Sequence, residues 1–384
     1  MNLICENDKC TGCGACKSVC PKGAIKMSEK AVTGHFFPVV DENLCVDCGL
    51  CKKVCPSNSR ETFVEPQKVY AAWRKETNKQ TGSSSGGVAA ALYEAALANG
   101  YYVVGTYADE DFMPKMKVTK DIKDIELFKG SKYVQADTGS VYEEVRQLIA
   151  QGNKVLFIGT PCQCSAARSI VQNKANLVTV ELICHGVPSQ RVFGDYLEWI
   201  QNRTKKKITE MSFRSEYGEE MIFRANKKVI WKRRHQEDYY LSAFSSGMII
   251  NDVCCNCKFA QKERSADATI GDFWGIGKRM PFVSPGRKVS VVAVNTEKGK
   301  ALFQLCKSLM LEERSYEEAV EGNTQLRHPV RVHNYRYTFW KVYNEKGIEQ
   351  AFYSTIYDEV TKRYKKNYLK RAPKEFIKRI LRRK

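Results

Sequence analysis

The chain of 384 residues contains no run of about 18 apolar residues, and its N-terminus, MNLICENDKCTGCGACKSVC, has no apolar core of signal-peptide length. Neither a membrane span nor an export signal is present in this pattern, so a cytoplasmic location is expected. Histidine is scarce at five residues, and His35, His235, His328 and His333 stand in contexts that suggest only surface or core roles. No Walker A or GxGxxG run occurs. Acidic residues are outnumbered 43 to 62, a net charge of +19, but the surplus is local. From Lys362 to Lys384 there are 12 Lys or Arg against one Glu, which leaves about +8 on the preceding 361 residues. That mildly basic body carries no nucleic-acid motif, which argues against a nucleic-acid partner. In the tail Leu369, Phe376, Ile377, Ile380 and Leu381 interleave with basic residues. This predicts an interfacial helix in peripheral contact with anionic membrane or an acidic partner, a solvated tail being the alternative.

Cysteine, by contrast, is abundant. Sixteen cysteines without an export signal argue for metal or redox chemistry rather than a disulfide framework. Eight form two copies of one pattern, Cys10-x2-Cys13-x2-Cys16-x3-Cys20-Pro21 and Cys45-x2-Cys48-x2-Cys51-x3-Cys55-Pro56. Two-residue spacing lets three thiolates reach three irons of one cubane, and the fourth cysteine of each run crosses to the other cluster. One [4Fe–4S] cluster is thus expected on Cys10, Cys13, Cys16 and Cys55, the other on Cys45, Cys48, Cys51 and Cys20. Zinc sites usually pair separated Cys-x2-Cys units or add His, and neither run has that form.

After a connector, SNSRETFVEPQ, the texture changes. KVYAAW, YYVVGTY, KVLFIG, LVTVELIC, ITEMSF and KVSVVAV read as buried or half-buried strands. Between several of them lie helical stretches: GGVAAALYEAALANG, stopping at Gly100, GSVYEEVRQLIAQG and QRVFGDYLEWIQNR. The expected fold is α/β: an N-terminal bacterial-type ferredoxin domain followed by a mixed α/β body with a substantially parallel sheet. Cys162 and Cys184 each follow a predicted strand, which puts both at the carboxyl edge of a parallel sheet, where such folds bind ligands. Cys254 and Cys257 form a Cys-x2-Cys pair. Spacing alone leaves a third cluster, a zinc half-site, a dithiol and plain buried thiols all open.

The stretches SSSGGVAAALYEAALANGYYVVG, GSKYVQADTG, FIGTPCQCSAARS, LICHGVPS, CCNCKFAQKERSADATIGDFWGI and HPVRVHNY resemble, in this order, the family of coenzyme F420 hydrogenase/dehydrogenase beta subunits. The resemblance covers roughly residues 68–335. It implies an FAD enzyme fed through [4Fe–4S] clusters, and it matches Cys162, Cys184, Cys254 and Cys257 to a cluster bound in the body, leaving out Cys164 and Cys255. The expected divisions are 1–60 (ferredoxin), 68–152 and 153–335 (the two parts of the body, the second with the third cluster) and 336–384 (a helical basic tail).

Cubanes pass single electrons whereas most organic reductions need two, and a flavin bridges that mismatch. Ser85, Gly86 and Gly87, opening a helix, offer backbone N–H groups and the positive end of a helix dipole to a phosphate, although an ordinary cap has the same look. With them, Thr160, Lys132, Asp272 and Trp274 are the candidate cofactor-binding residues. Lys132 is a candidate for stabilising a reduced flavin, or else a solvated lysine. Asp272 would take a sugar hydroxyl and Trp274 cover a ring, against a capping Asp and a core aromatic. His185 is a candidate proton donor or a structural His, and with Lys132 completes the catalytic candidates. The expected function is an iron–sulfur flavoprotein oxidoreductase. It would pass electrons between a redox partner such as ferredoxin, the clusters, FAD and a small-molecule acceptor that the sequence does not identify. A non-catalytic electron-relay subunit is the alternative.

Overall fold

The structure, a computed structural model, describes residues 3–381, with side chains through residue 369. The chain forms two compact units, Met1–Gln190 with Asn251–Val330, and Arg191–Ile250 with Arg331–Lys384.

The first unit begins with a small antiparallel hairpin, β1 (Ile25–Glu29) and β2 (Phe36–Val40), and two one-turn helices, Ala15–Ser18 and Leu50–Lys53. The two helices occupy equivalent places in the two cysteine runs. Each opens from a glycine with positive φ, Gly14 at 79° and Gly49 at 73°, so the internal repeat of the sequence is also a repeat of backbone shape.

The rest of that unit is built on an eight-stranded sheet made of β3 (Lys68–Arg74), β4 (Tyr102–Ala108), β5 (Pro114–Thr119), β6 (Val155–Gly159), β7 (Leu177–Leu182), β11 (Ala268–Asp272), β12 (Ser290–Val294) and β13 (Leu309–Glu313). The intervening β8 (Glu210–Ser215), β9 (Gly218–Ala225) and β10 (Lys228–Arg234) lie in the second unit. The strand order is β13-β3-β12-β11-β7-β6-β4-β5. The centre, β11-β7-β6-β4, is parallel, and the flanking pairings are antiparallel. The expectation of a mixed α/β body with parallel strands is met, with the parallel part confined to those four strands.

All five residues of β6 are buried, as a strand covered on both faces requires. Leu156 and Ile158 point to one face with the helices Val88–Ala98 and Glu297–Leu305. Val155 and Phe157 point to the other, where the helices Val141–Ala150 and Pro161–Ile170 pack. The sheet is therefore the middle of three layers. Cys13, Ala15, Val19 and Val54 of the N-terminal segment belong to that second core as well.

In the second unit β8, β9 and β10 form an antiparallel sheet of order β10-β9-β8. ITEMSF, expected in the alternating body, is β8 of this separate sheet. It pairs locally with β9, and β9 with β10 through a turn at Asn226 and Lys227, both with positive φ. Tyr196, Trp199, Tyr240 and Phe352 stack in the core of this unit. Buried Asp238 accepts from Tyr196 Oη at 2.6 Å and Trp231 Nε1 at 2.9 Å. The helix Tyr357–Leu381 starts five residues before the basic run that opens at Lys362, and its first turns are part of the unit. The Arg233 guanidinium stacks 3.8 Å from the Tyr364 ring, and Asn367 Nδ2 donates to Glu237 Oε1 at 2.8 Å. Leu369 is exposed, whereas the side chains of Phe376, Ile377, Ile380 and Leu381 lie outside the described residues. No described helix is long and apolar enough to cross a membrane.

Candidate redox centres

Each expected ligand set draws three cysteines from one run and its fourth from the other. Cys10, Cys13, Cys16 and Cys55 are all buried. Burial, with the nearby charges of Cys55 and Cys10 adding to it, raises the Cys13 thiol to about 12. Cys16 is raised in the same way by burial and then by Cys13, Cys10 and Cys55. The remaining four, Cys20, Cys45, Cys48 and Cys51, line one cavity together with Ile25, Val40, Val46 and Leu50. Among the described residues no three Cys, His, Asp or Glu side chains converge on a single ion-sized point. Both sets are all-thiol, the donor chemistry that suits iron–sulfur clusters.

In the body, the segment Thr160-Pro161-Cys162-Gln163 is a helix start. Thr160 is the N-cap of Pro161–Ile170 with proline at the first helical position, and Gln163 Oε1 accepts from the Thr160 backbone N–H at 2.9 Å. Cys162 therefore sits in the first turn, past the carboxyl end of β6, and Cys184 lies two residues past the parallel neighbour β7. Burial raises the Cys162 thiol, with Cys13, Cys184 and Cys257 adding to the effect. The Cys254 thiol is raised by burial and then by Cys184 and Cys257. Cys162 and Cys184 thus lie past the carboxyl ends of neighbouring parallel strands, and Cys254, Cys257 and Cys13 are near enough for charges in this group to act on one another. Cys164, two residues on, is fully buried in the core, with its Sγ 3.5 Å from the Val180 carbonyl.

Several residues that sequence reasoning did not single out hold these centres. Thr138 donates to the Cys13 carbonyl at 3.0 Å, Gln135 Oε1 accepts from the Phe36 N–H at 2.8 Å, and Asn251 Nδ2 donates to the Cys10 carbonyl at 3.2 Å. His35, fully buried, places Nε2 2.9 Å from the Val187 carbonyl. Glu61, in the connector, pairs with Arg168 at 2.7 Å and with Ser165 on the helix that carries Cys162. Arg264, 2% exposed, pairs with buried Glu181 and donates to the Phe259 and Gln261 carbonyls of the loop after Cys257. Cys5, outside both runs, stands beside Cys10 and Cys55, and that proximity raises its thiol. Gln135 and Thr138 fall within GSKYVQADTG and were marked only as part of that stretch. For Cys5 no spacing signal existed.

The candidate flavin residues are spread over several contacts. Ser85 Oγ donates to the Val289 carbonyl at 2.9 Å, and the Gly86 N–H to Ser290 Oγ at 2.9 Å. Gly87 is the N-cap of Val88–Ala98. Beside it, buried Arg74 Nε and Ser83 Oγ have no hydrogen-bond partner among the described residues, the kind of donors an anionic group takes up. Lys132 is half-buried and not free, since its ammonium donates to the Phe128, Lys129 and Gly130 carbonyls at 3.2, 2.9 and 3.2 Å. Burial lowers its pKa to about 8. Thr160 caps its helix and stands 3.2 Å from Cys162 Sγ. Asp272 ends β11 and Trp274 is 48% exposed, so Trp274 is not a core aromatic. His185 has Nδ1 3.1 Å from Gln325 Nε2.

Fold and site together define an iron–sulfur protein with a ferredoxin-type segment joined to an α/β redox body. Residues 9–59 match the 4Fe-4S dicluster domain. Residues 69–143 match the N-terminal part, and residues 152–319 the C-terminal part, of the beta subunit of coenzyme F420 hydrogenase/dehydrogenase. The chain belongs to this family of beta subunits, an oxidoreductase family. It is 26% identical over 196 residues to the F subunit of the F(420)H(2) dehydrogenase of Methanosarcina mazei, covering 47% of this chain and 54% of that protein. With the coenzyme F420-dependent sulfite reductase of Methanocaldococcus jannaschii the identity is 24% over 331 residues, 82% of this chain and 49% of that protein. The chain spans about half the length of these curated relatives. A chain in the solved F420-reducing [NiFe] hydrogenase complex from Methanosarcina barkeri aligns with TM-score 0.48 and 18% identity, covering 78% of this chain and 95% of that one.

Proposed function

We propose that the chain is an iron–sulfur flavoprotein oxidoreductase that moves electrons between a ferredoxin-type redox partner and a small-molecule acceptor. In this reading Cys10, Cys13, Cys16 and Cys55 hold one [4Fe–4S] cluster, Cys20, Cys45, Cys48 and Cys51 a second, and Cys162, Cys184, Cys254 and Cys257 a third. The observation that carries it is the placement of Cys162 and Cys184 past the carboxyl ends of the parallel neighbours β6 and β7, with Cys254 and Cys257 near enough for their charges to interact. Clusters supply one-electron steps and a flavin the exchange between one and two electrons.

The protein's own part is to hold and to exclude. Thr138, Gln135 and Asn251 pin the Cys10–Cys13 loop to the body, which fixes the separation of the first and third thiol sets. Arg264 ties down the loop after Cys257 and sets a cation beside Cys184 and Cys257, where a cluster's negative charge needs compensation. Gly87 with the partnerless donors Arg74 Nε and Ser83 Oγ supports an FAD phosphate at the start of Val88–Ala98. Lys132, committed to three carbonyls, serves in this reading to shape the turn at Gly130 next to that loop.

The test is anaerobic purification with iron and flavin analysis. The reading expects about twelve irons, as three cubanes require, and FAD released by acid or heat. Full iron without any flavin would leave a pure electron relay in its place.

A further inference from the structure

The connector between the N-terminal segment and the body runs against the loop that carries Cys257. Val64 and Arg264 exchange backbone hydrogen bonds of 2.9 and 2.8 Å, and the ring centroids of Phe63 and Phe259 are 6.1 Å apart. Half-buried Lys258 reaches across this seam, and its ammonium donates to the Ser59 carbonyl at 2.8 Å. Each end of that contact is tied to a cysteine. Ser59 donates its N–H to the Cys55 carbonyl at 3.1 Å. Lys258 directly follows Cys257, whose carbonyl accepts from the Ala260 N–H at 3.1 Å. Cys55 belongs to the first thiol set, with Cys10, Cys13 and Cys16, and Cys257 to the third. The ammonium is near enough to both cysteines for their charges to act on it. Two other charges at the seam are each paired. Glu61, which also acts on Lys258, is committed to Arg168 at 2.7 Å. Arg264 acts on Cys184 and Cys257, both of the third set, and is matched by buried Glu181.

We infer that Lys258 is a counter-cation shared by the clusters of the first and third sets, and that it holds both reduction potentials up together. The inference rests on the proposed function. A [4Fe–4S] cluster on four thiolates is an anion, and reduction adds one electron and one further negative charge, with no bond broken and no proton moved. A fixed positive charge favours the more negative state and so raises the potential. Burial opposes that state, so the buried first set depends on such a charge. A cation beside one cluster alone would open a gap between the two potentials. One placed between them moves both in the same direction, and an electron then crosses the seam without that gap.

The test is anaerobic potentiometry on the full cluster-loaded chain, with dithionite as the electron source and paramagnetic resonance as the readout. Lys258→Met should lower two of the three one-electron potentials. Each should fall by about tenfold in the ratio of reduced to oxidised cluster, about 59 mV for a one-electron couple. The potential of the set on Cys20, Cys45, Cys48 and Cys51 should stay. Lys258→Gln keeps a donor for the Ser59 carbonyl without the charge and should shift the same two. Lys258→Arg should leave all three in place. These two variants carry the comparison if loss of the tether costs Lys258→Met its iron. Lys262→Met, which removes an exposed charge from the same loop, should move none. Unaltered potentials in Lys258→Gln overturn the inference, because Lys258 is then a tether only. A shift of one cluster alone, or an equal shift in Lys262→Met, overturns it too. Iron near eight in the unaltered chain overturns the third cluster and the reading beneath the inference, a different result.

Discussion

Thr138 Oγ1 donates to the backbone carbonyl of Cys13 across 125 residues of sequence, a buried hydrogen bond of 3.0 Å. It fastens the loop of the first cysteine run to the segment before the helix Val141–Ala150, so the N-terminal segment is a fixed part of the body. Gln135 and Phe36 crowd the same loop and leave no room for a side chain at Gly12. A Cβ on Gly12, where φ is +66°, would lie 2.3 Å from Gln135 Nε2 and 2.4 Å from the Phe36 carbonyl.

Gly12→Ala should therefore displace the loop, since positive φ and a backbone clash act together. The expected outcome is loss of about four irons from the first set while the set on Cys20, Cys45, Cys48 and Cys51 survives. Iron analysis with paramagnetic resonance checks this. Gly23→Ala, with the same sign of φ but open space around it, should keep all iron.

Lys132 makes a prediction about pH. Its pKa is about 8 in the folded chain against 10.5 for a free lysine, so between these values the unfolded chain binds more protons. Stability from this group therefore rises with pH from about 8 to 10.5 and is flat below. Lys132→Met should cost about 1–2 kcal/mol through the lost carbonyl contacts. The gap to the unaltered protein should widen, not close, as pH rises through that window. Urea unfolding at pH 7, 8, 9 and 10 measures it.

Truncation after Thr361 removes Tyr364 from Arg233 and Asn367 from Glu237 and should lower the thermal unfolding midpoint while keeping iron and flavin. If the basic run from Lys362 to Lys384 touches anionic lipid, the same truncation reduces binding to phosphatidylserine vesicles at low salt. Absence of such binding in the full chain rejects the lipid contact.

What was legible in the sequence follows from how local each signal is. The cysteine runs mark the N-terminal segment as an iron–sulfur domain through spacing alone, as its match to the dicluster domain bears out. The strands β3, β4, β6, β7, β8 and β12 and three helices were readable because burial on one or two faces leaves a periodic trace, although β8 belongs to a separate sheet. The strands β1, β2, β5, β9 and β10 were not, since stretches such as KMSEK and PKMKVT are half polar and owe their strand state to pairing. The contacts of Gln135, Thr138, Asn251 and Arg264 join segments up to 241 residues apart, and no local pattern encodes a partner at that range. Lys132 was judged from its charge, whereas the three carbonyls of the turn before it decide its place.

The central claim, a third cluster on Cys162, Cys184, Cys254 and Cys257, is tested most directly by iron content in two neighbouring variants. Cys162→Ser replaces a soft thiolate by a poor ligand at the sheet edge, whereas Cys164→Ser alters a buried core thiol that faces the Val180 carbonyl. The account predicts a fall from about twelve irons to about eight in Cys162→Ser, with the ferredoxin-type resonance retained, and about twelve in Cys164→Ser. Iron that stays near twelve in Cys162→Ser, or that falls equally in both variants, would contradict it.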